Sequence, residues 1–376
     1  MKSFNTKTAR LLAAMSAAAL ACTALSAPVN AQAVPDDLTV MPPVPTDYQP
    51  ARTAWGDPDL RGMFPIDNIA SLPMQRPANF GDRFWLTEEE YAQRAAQAGR
   101  SDAAYAAEDE SGTIGMGHWV ESDSSGRRTS LLISPANGQL PAFTESAQAL
   151  YSAGRSSWTP GTIHQWVDDF DTWDRCITRG FPASMFPFRY NNGIQVMQAP
   201  GYFVINLEMI HDSRVIPIVK KEDIAARRWP ANVRTWMGQS LGYWEGNTLV
   251  VETTNIIAGD SATTVVSERG PSPLNMATMG VPPFNTIPTS EQAKVVERIT
   301  MTGPDSIVYE VTYSDPEVFV APWTARLDWT RNDEYEFFEY ACHEGNVQVR
   351  NYISSASAGL AAEAAEAARA EAAGTQ

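Results

Sequence analysis

One short stretch of the sequence, residues 206–218, combines an apolar pattern with four side chains suited to acid/base chemistry. It reads NLEMIHDSRVIPI, and its ionisable members are Glu208, His211, Asp212 and Arg214. Hydrophobic residues alternate along the stretch, which predicts a half-buried strand. A strand of this kind forms either a solvated outer face or the inner wall of a site. We predict the inner wall.

Strand geometry assigns His211 to the apolar side of this stretch. Leu207 and Met209 share its parity, so we expect that face to be dry. Histidine titrates near neutral pH, and in such a pocket His211 would act as general base. On the opposite face Arg214 would compensate Glu208 or Asp212, because buried acids need a partner. The alternative is a satisfied core histidine beside a structural ion pair.

A second imidazole, His343, lies in the string ACHEGN beside Cys342. Cys176 lies in RCITRG, and in an oxidising compartment this pair of cysteines predicts a disulfide. The bond would bring Arg175 and Arg179 towards Glu344. It could organise a polar site or only staple an ion-pair network. A catalytic thiol at Cys342 is the other interpretation.

Further candidates come from strand ends and turns. Tyr190, in YNNG, is a candidate acid or oxyanion donor, although Asn192-Gly193 is also typical of a turn. Glu252 lies within an apolar strand and must be paired or functional. Arg234 and Arg326 are its candidate partners. As substrate-binding residues we predict Arg214, Arg179, Trp244, Trp236, Glu252 and Asn255, with His211, His343, Tyr190, Glu208 and Asp212 as catalytic residues.

Five strings occur together in this chain: RCITRG, YNNGIQVMQAPGYFVINLEMIHDSR, GYWEGNTLVVETTN, PWTARL and EYACHEGN. The set resembles a large family of secreted proteins of Gram-negative bacteria. The resemblance covers most of residues 55–355. It implies export and a single β-rich domain, and it names no reaction.

The elements that must position these residues are mainly strands. From residue 127 onward, strand-like runs alternate with turn signals, as in meanders and barrels. We predict hairpins at Asn137-Gly138, at Gly246-Asn247, at TGPD (302–305) and at Asn332-Asp333, and further strands within 193–218. The predicted fold is an antiparallel β-barrel or strongly curved meander sheet, calycin- or lipocalin-like. An N-terminal arm, few short helices and an Ala/Glu-rich C-terminal helix complete it.

The predicted organisation has four parts. These are a signal peptide (1–33), a Pro-rich extended arm (34–60), a single β-rich domain (61–353) and an Ala/Glu-rich tail (354–376). A capping box, Thr87 with Glu90, predicts a helix over residues 86–99. Short helices are expected at 221–228 and 231–238, a flexible loop at 108–117 and a long binding or lid loop at 260–290.

Composition narrows the partners and the compartment. The chain has 44 acidic against 28 basic residues, a formal charge of −16, which argues against nucleic acid and anionic membrane surfaces. The run LLAAMSAAALACTALSA and the AQA before Val34 predict cleavage after Ala33. Acylation of Cys22, as in a lipoprotein, is the alternative. No second apolar span follows, so we expect no stable membrane span.

The sequence therefore favours an enzyme without a cofactor. Its four histidines lack metal-ligand spacing, and no nucleotide-binding fingerprint is found. We predict a periplasmic or secreted lyase or isomerase that acts on a small hydrophobic, aromatic molecule such as a lignin-derived compound. The alternatives are an ester or glycoside hydrolase using carboxylates or a His-activated water, and a periplasmic hydrophobic-ligand-binding protein. The oligomeric state is left open.

Overall fold

The computed structural model describes residues 34–70, 72–112, 126–154, 157, 163–260, 270, 272–274 and 286–374. The predicted signal peptide, with Cys22 and Ala33, lies outside these residues, as do 113–117 of one predicted loop and most of the loop at 260–290. The described residues belong to one compact unit. They are mostly β, with two antiparallel sheets, few short helices and a C-terminal helix. This confirms the mainly β fold class.

Ten strands are found in the described residues. In chain order they are β1 (Gly62–Met63), β2 (Leu132–Ser134), β3 (Ile194–Ala199), β4 (Tyr202–Leu207), β5 (Ser213–Pro217), β6 (Gln239–Glu245), β7 (Thr248–Thr254), β8 (Lys294–Gly303), β9 (Ser306–Ser314) and β10 (Trp323–Thr330). The smaller sheet has the order β1-β3-β4-β5, and the larger one β2-β10-β9-β8-β7-β6. Neighbours along the chain are mostly neighbours in a sheet, so these are meanders.

Two predicted hairpins are confirmed and two are wrong. β6 and β7 meet at Gly246-Asn247, and β8 and β9 meet at TGPD. At Asn137-Gly138 the chain turns, but β2 pairs with β10 instead of with residues 139–143. After Asn332-Asp333, residues 334–341 form no strand. A turn signal reports only a local reversal of the chain, whereas the pairing partner of a strand is decided by the rest of the sheet.

The helices are α1 (Glu88–Glu110), α2 (Glu145–Ala153), α3 (Ile224–Arg227), α4 (Cys342–Gly345) and α5 (Gln348–Gly374). The capping box of α1 is confirmed: Thr87 Oγ1 accepts from the Glu90 amide at 3.2 Å, and Glu90 Oε2 accepts from the Thr87 amide at 2.9 Å. α1 runs past residue 99, so the predicted loop begins later than residue 108. Residues 231–238 form turns where a helix was predicted. None of the described helices combines the length and apolar character needed to cross a membrane.

Aromatic side chains of the larger sheet fill much of the core. Tyr309 stacks on Trp329 with 4.7 Å between ring centroids, and Tyr313 stacks on Trp323 at 5.3 Å. All four rings are fully buried because they share the inward parity of β9 and β10. The segment before β3, including Phe181 and Phe186, is buried with them. Packed side chains thus occupy the interior that a barrel prediction would leave for a ligand.

The Pro-rich arm lies against the rest of the protein. Its carbonyls accept hydrogen bonds from three side chains: Val40 from Trp85, Pro42 from Arg326 and Tyr48 from Asn247. Proline has no backbone N–H, so a Pro-rich segment binds the rest of the protein mainly through its backbone carbonyls.

Candidate functional site

The stretch 206–218 is a strand, a turn and a second strand. β4 ends at Leu207, β5 begins at Ser213, and Met209–His211 form a 3-10 turn between them. Ile210 and His211 have φ values of 60° and 58°, in the left-handed region that costs about 1–2 kcal/mol for a residue with a side chain. The single continuous strand predicted here is therefore wrong. His211 is exposed on the turn, so its predicted dry face is also wrong.

Glu208 is fully buried, and the groups that bind it among the described residues are neutral. Its carboxylate accepts four hydrogen bonds, from Asn191 Nδ2 at 3.0 Å, the Gly193 amide at 2.9 Å, Tyr335 OH at 2.7 Å and the Phe338 amide at 2.9 Å. A Cβ on Gly193 would lie 2.6 Å from Glu208 Oε2, so this approach requires glycine. The carboxylate fastens the segment that was predicted to be a strand. We interpret Glu208 as a structural anchor.

Arg214 forms a buried ion pair with a distant acid. Its guanidinium donates to both carboxylate oxygens of Glu297, at 2.7 and 2.5 Å, and to Ser240 Oγ at 3.0 Å. Tyr309 OH donates to Glu297 as well, and the ring of Phe181 lies 4.2 Å from the guanidinium carbon. Burial opposes the charge, but Glu297 raises the pKa of Arg214 above its usual value.

The predicted ion pair of Arg214 with Glu208 or Asp212 is therefore wrong. In β5 the Arg214 side chain points into the core, where Glu297 from β8 meets it. The bidentate pair is neutral as a unit. It therefore has no spare charge for a substrate.

Arg179 is equally buried but differently bound. Nη1 donates to the Phe186 carbonyl at 2.9 Å, and the guanidinium carbon lies 5.6 Å from the Trp173 ring and 5.5 Å from the Phe188 ring. Among the described residues, Nε and Nη2 have no hydrogen-bond partner. Burial lowers the pKa of Arg179 to about 10, so the side chain remains charged at neutral pH.

Two tyrosines adjoin this guanidinium. The rings of Tyr190 and Tyr340 are stacked, 6.4 Å between centroids, and their hydroxyls are hydrogen-bonded. Burial raises the pKa of both phenols. The pKa of Tyr340 is lowered in part by hydrogen bonds from Tyr190 and Trp173 and by the charge of Arg179. At neutral pH both hydroxyls are protonated donors, and the Tyr340 oxygen is the better stabilised of the two if it loses its proton.

Asp212 completes this group. Thr178 Oγ1 donates to its carboxylate at 2.9 Å and Ser184 Oγ at 3.2 Å. Burial raises the pKa of Asp212, and these hydrogen bonds and the Arg179 charge offset only part of the shift. We call Arg179, Tyr190, Tyr340 and Asp212 the phenol–arginine cluster, because the charge of Arg179 acts on all three other members.

Sequence reasoning selected three members of the cluster separately and missed Tyr340. Tyr340 lies two positions before Cys342, and Trp173 lies three before Cys176. Because the predicted disulfide joins Cys176 to Cys342, it could also have been used to predict that Trp173 and Tyr340 lie close together.

The disulfide between Cys176 and Cys342 is confirmed, with Cα atoms 5.7 Å apart. The catalytic thiol at Cys342 is therefore wrong. Arg175 pairs with Asp168 at 3.7 Å, and Glu344 is exposed, so an approach of Arg175 and Arg179 to Glu344 stays a prediction. His343 is exposed and lines a groove whose walls include neither Tyr190 nor Arg179.

The remaining predicted substrate residues have structural contacts. Glu252 pairs with Arg228 at 3.0 Å and Lys294 at 2.8 Å, so the predicted partners were wrong. The two predicted partners are paired elsewhere, Arg234 with Glu291 and Arg326 with Glu310.

The two predicted pocket tryptophans and Asn255 also have structural surroundings. Trp244 packs against the core, and Trp236 is half-buried. Asn255 has a φ of 59°. Its side-chain amide donates to the Pro230 and Val233 carbonyls and so holds the loop before β6 in place. Within the described parts of the chain, no cluster of three or more His, Cys, Asp or Glu side chains could hold a metal ion.

Comparison with known proteins adds no constraint to this geometry. No protein-family model matches the chain, and comparisons with curated proteins and with solved structures find no significant match. The resemblance to secreted proteins of Gram-negative bacteria therefore stays a prediction. The cluster has to be interpreted from its contacts alone.

Proposed function

We propose that this protein is an exported, cofactor-independent acid/base enzyme of the lyase or isomerase type, acting on a small hydrophobic, aromatic molecule such as a lignin-derived compound. One observation carries the proposal: Arg179 is buried and charged, yet two of its nitrogen atoms, Nε and Nη2, have no partner in the described structure. A buried charge is costly unless something compensates it. A substrate oxygen that gains negative charge during reaction is such a partner.

The other members of the cluster have complementary roles in this scheme. Asp212, made more basic by burial, removes a proton from a substrate carbon. The electron pair moves to a conjugated oxygen held by Arg179. Tyr190, relayed by Tyr340, then returns a proton to another carbon in an isomerisation or to the leaving oxygen in an elimination. Transfer of the proton from Asp212 to the tyrosinate through solvent, after the product leaves, restores both groups for the next turnover.

Aromatic walls suit the proposed substrate class. Trp173 and Phe188 meet edge to face, 4.7 Å between centroids, and Phe188 meets Tyr190 in the same way at 4.8 Å. Such rings offer further edge and face contacts to an aromatic ligand. They also exclude water. The lower local dielectric strengthens the electrostatic interaction between Arg179 and a substrate oxygen.

Export and a barrel-like form belong to the same proposal. The disulfide supports export, because such bonds persist mainly in oxidising compartments. A closed, calycin-like arrangement is supported by two links between the sheets. The Val219 amide donates to the Gly242 carbonyl of β6, and the Asn332 amide donates to the Met63 carbonyl of β1, both at 2.8 Å.

The test is turnover by designed variants. The purified protein is incubated with lignin-derived aromatics, terpenoids and esters, and product masses are followed. Tyr340→Phe should lower turnover by about a hundredfold, the scale of one lost acid/base group. Its melting temperature should stay close to that of the wild type. Tyr202→Phe, at an exposed position of β4, is the matched control and should change neither property.

Three outcomes would contradict the proposal in different ways. Full turnover by Tyr340→Phe would remove the cluster from the reaction. Saturable binding of an aromatic without conversion would indicate a ligand-binding protein. Hydrolysis of an ester or glycoside that survives the Tyr340 and Arg179 changes would indicate a hydrolase with a different site.

A further inference from the structure

A groove of about 420 Å³ lies where α5 begins. Its polar wall is formed by Arg175, His343 and Arg350, and its apolar wall by Val167, Val349 and Ile353. Among the described residues its lining contains no Asp or Glu, although the chain has 44 acidic residues. A concave surface with cationic groups and no acid in its lining concentrates anions.

The cationic wall has unused hydrogen-bonding capacity. Arg175 Nε is buried and has no partner among the described residues, and its nearest acid, Asp168, is 3.7 Å away, beyond hydrogen-bond distance. Arg350 lies exposed in the first turns of α5, where the helix amides add partial positive charge. Two guanidinium groups therefore border one groove, and the ion pair found there in the described residues, Arg175 with Asp168, is a long one.

Covalent and aromatic contacts hold this groove together. Cys176 follows Arg175 and Cys342 precedes His343, so the disulfide joins the two sides of the polar wall. Asn346 Nδ2 donates to the Asp174 carbonyl at 2.7 Å. The α5 residue Tyr352 packs on Phe170, 6.2 Å between ring centroids. The walls are thus set before any ligand arrives, which reduces the entropic cost of binding.

We propose that this groove is a second binding site, which takes a small organic carboxylate with an apolar or aromatic body. The planar guanidinium fork of an arginine matches a carboxylate in geometry, and the valine and isoleucine side chains cover the apolar part. The volume suits a ligand of one ring with a short substituent. The site does not rest on the proposed catalytic function, because the groove lining and the phenol–arginine cluster share no residue.

Calorimetric titration of the full protein with benzoate tests the site. We expect saturable binding of benzoate, and binding of benzyl alcohol, a neutral analogue of similar shape, that is at least about tenfold weaker. Sulfate at matched ionic strength should not compete with benzoate, because it lacks the apolar body. Arg350→Gln should weaken benzoate binding by about tenfold or more through loss of a charged hydrogen bond. The residue is exposed, so folding should be unaffected.

Arg369→Gln is the matched control. It makes the same change on the same helix, about 28 Å further along at 1.5 Å per residue, and should leave affinity unchanged. Arg179→Met should also leave benzoate affinity unchanged. The proposal is overturned if benzoate shows no saturable binding, if benzyl alcohol binds equally well, or if Arg350→Gln has no effect. Loss of binding with Arg179→Met alone would assign benzoate to the phenol–arginine cluster instead, which also overturns it.

Discussion

Arg214 and Arg179 are two equally buried arginines with opposite environments. Each exposes no more than 3 % of its surface. Arg214 donates to a carboxylate and to a serine hydroxyl, whereas Arg179 donates to one backbone carbonyl and otherwise meets aromatic faces. The pKa of Arg214 is raised by its acid, and burial lowers the pKa of Arg179 to about 10. One buried charge is bound to a carboxylate within the fold, and the other is bound to a backbone carbonyl and to aromatic faces.

The elements that hold the two arginines differ accordingly. Arg214 lies on β5, and its acid, Glu297, lies on β8, so two regular strands fix the geometry of the pair. Arg179 lies between the disulfide and the buried segment from Phe181, outside any helix or strand. Binding residues are commonly carried by irregular segments on a rigid scaffold. Strand-to-strand ion pairs are more typical of structural roles.

The largest expected effect comes from breaking the Arg214 pair. Glu297→Gln leaves Arg214 as an uncompensated buried charge and should reduce the free energy of unfolding by about 3–5 kcal/mol in urea titrations. Glu245→Gln, which removes a partly exposed acid paired with Lys221 and Arg298, is the control and should cost less than about 1 kcal/mol.

A double variant sharpens this result. Arg214→Met combined with Glu297→Leu removes both charges and should recover much of the stability lost by Glu297→Gln alone, since apolar replacement of a buried pair is often neutral. If the single change costs no more than the Glu245 control, Glu297 does not compensate a desolvated charge, and the contrast between the two arginines disappears.

Arg179→Met should have the opposite balance of effects, with little loss of stability and a large loss of turnover. Because Arg179 has no carboxylate bound to it, its loss should change the free energy of unfolding by less than about 1 kcal/mol, the scale of one carbonyl hydrogen bond. Turnover of the substrate should fall by about a hundredfold or more, as when one oxyanion donor is lost. A stability loss as large as that of Glu297→Gln would make Arg179 structural.

The smallest expected effect is the pH dependence contributed by Asp212. Its pKa is raised in the folded state, mainly by burial. Its contribution to stability is therefore fully present below its ordinary pKa of 3.8 and is lost as the pH rises through the raised value. Asp212→Asn should thus be at least as stable as the wild type at pH 7, by about 1.4 kcal/mol for each unit of the shift.

Unfolding measured from pH 3 to pH 8 checks this prediction. The advantage of the Asn variant should appear as the pH rises. It should grow when Arg179→Met is also present, because the guanidinium charge is one of the groups that favour the ionised carboxyl. A variant that is less stable than the wild type at pH 7 would show that ionised Asp212 is stabilising, contrary to the direction of its pKa.

Local and covalent features were the predictable part of this molecule. The hairpins at Gly246-Asn247 and TGPD, the capping box of α1 and the disulfide depend on residues close in sequence or on the small number of cysteines. The prediction of one continuous strand over residues 206–218 was wrong because the alternating pattern continues across two strands. Nothing in the local sequence marks Ile210 and His211 as a turn. Ile210, as a β-branched residue, rarely adopts the left-handed conformation that it has here.

The sequence by itself determined that this protein is mainly β, that its strands follow one another as meanders, and that two cysteines pair. It also selected the residue types of the candidate site. Only the tertiary structure decided which arginine is neutralised, because Glu297 lies 83 positions from Arg214. It likewise gave Glu208 a donor from Tyr335, 127 positions away, and placed Tyr340 beside Tyr190. Alternating polarity reports which side of a strand is buried, but the compensation of a buried charge depends on which distant strand packs against it.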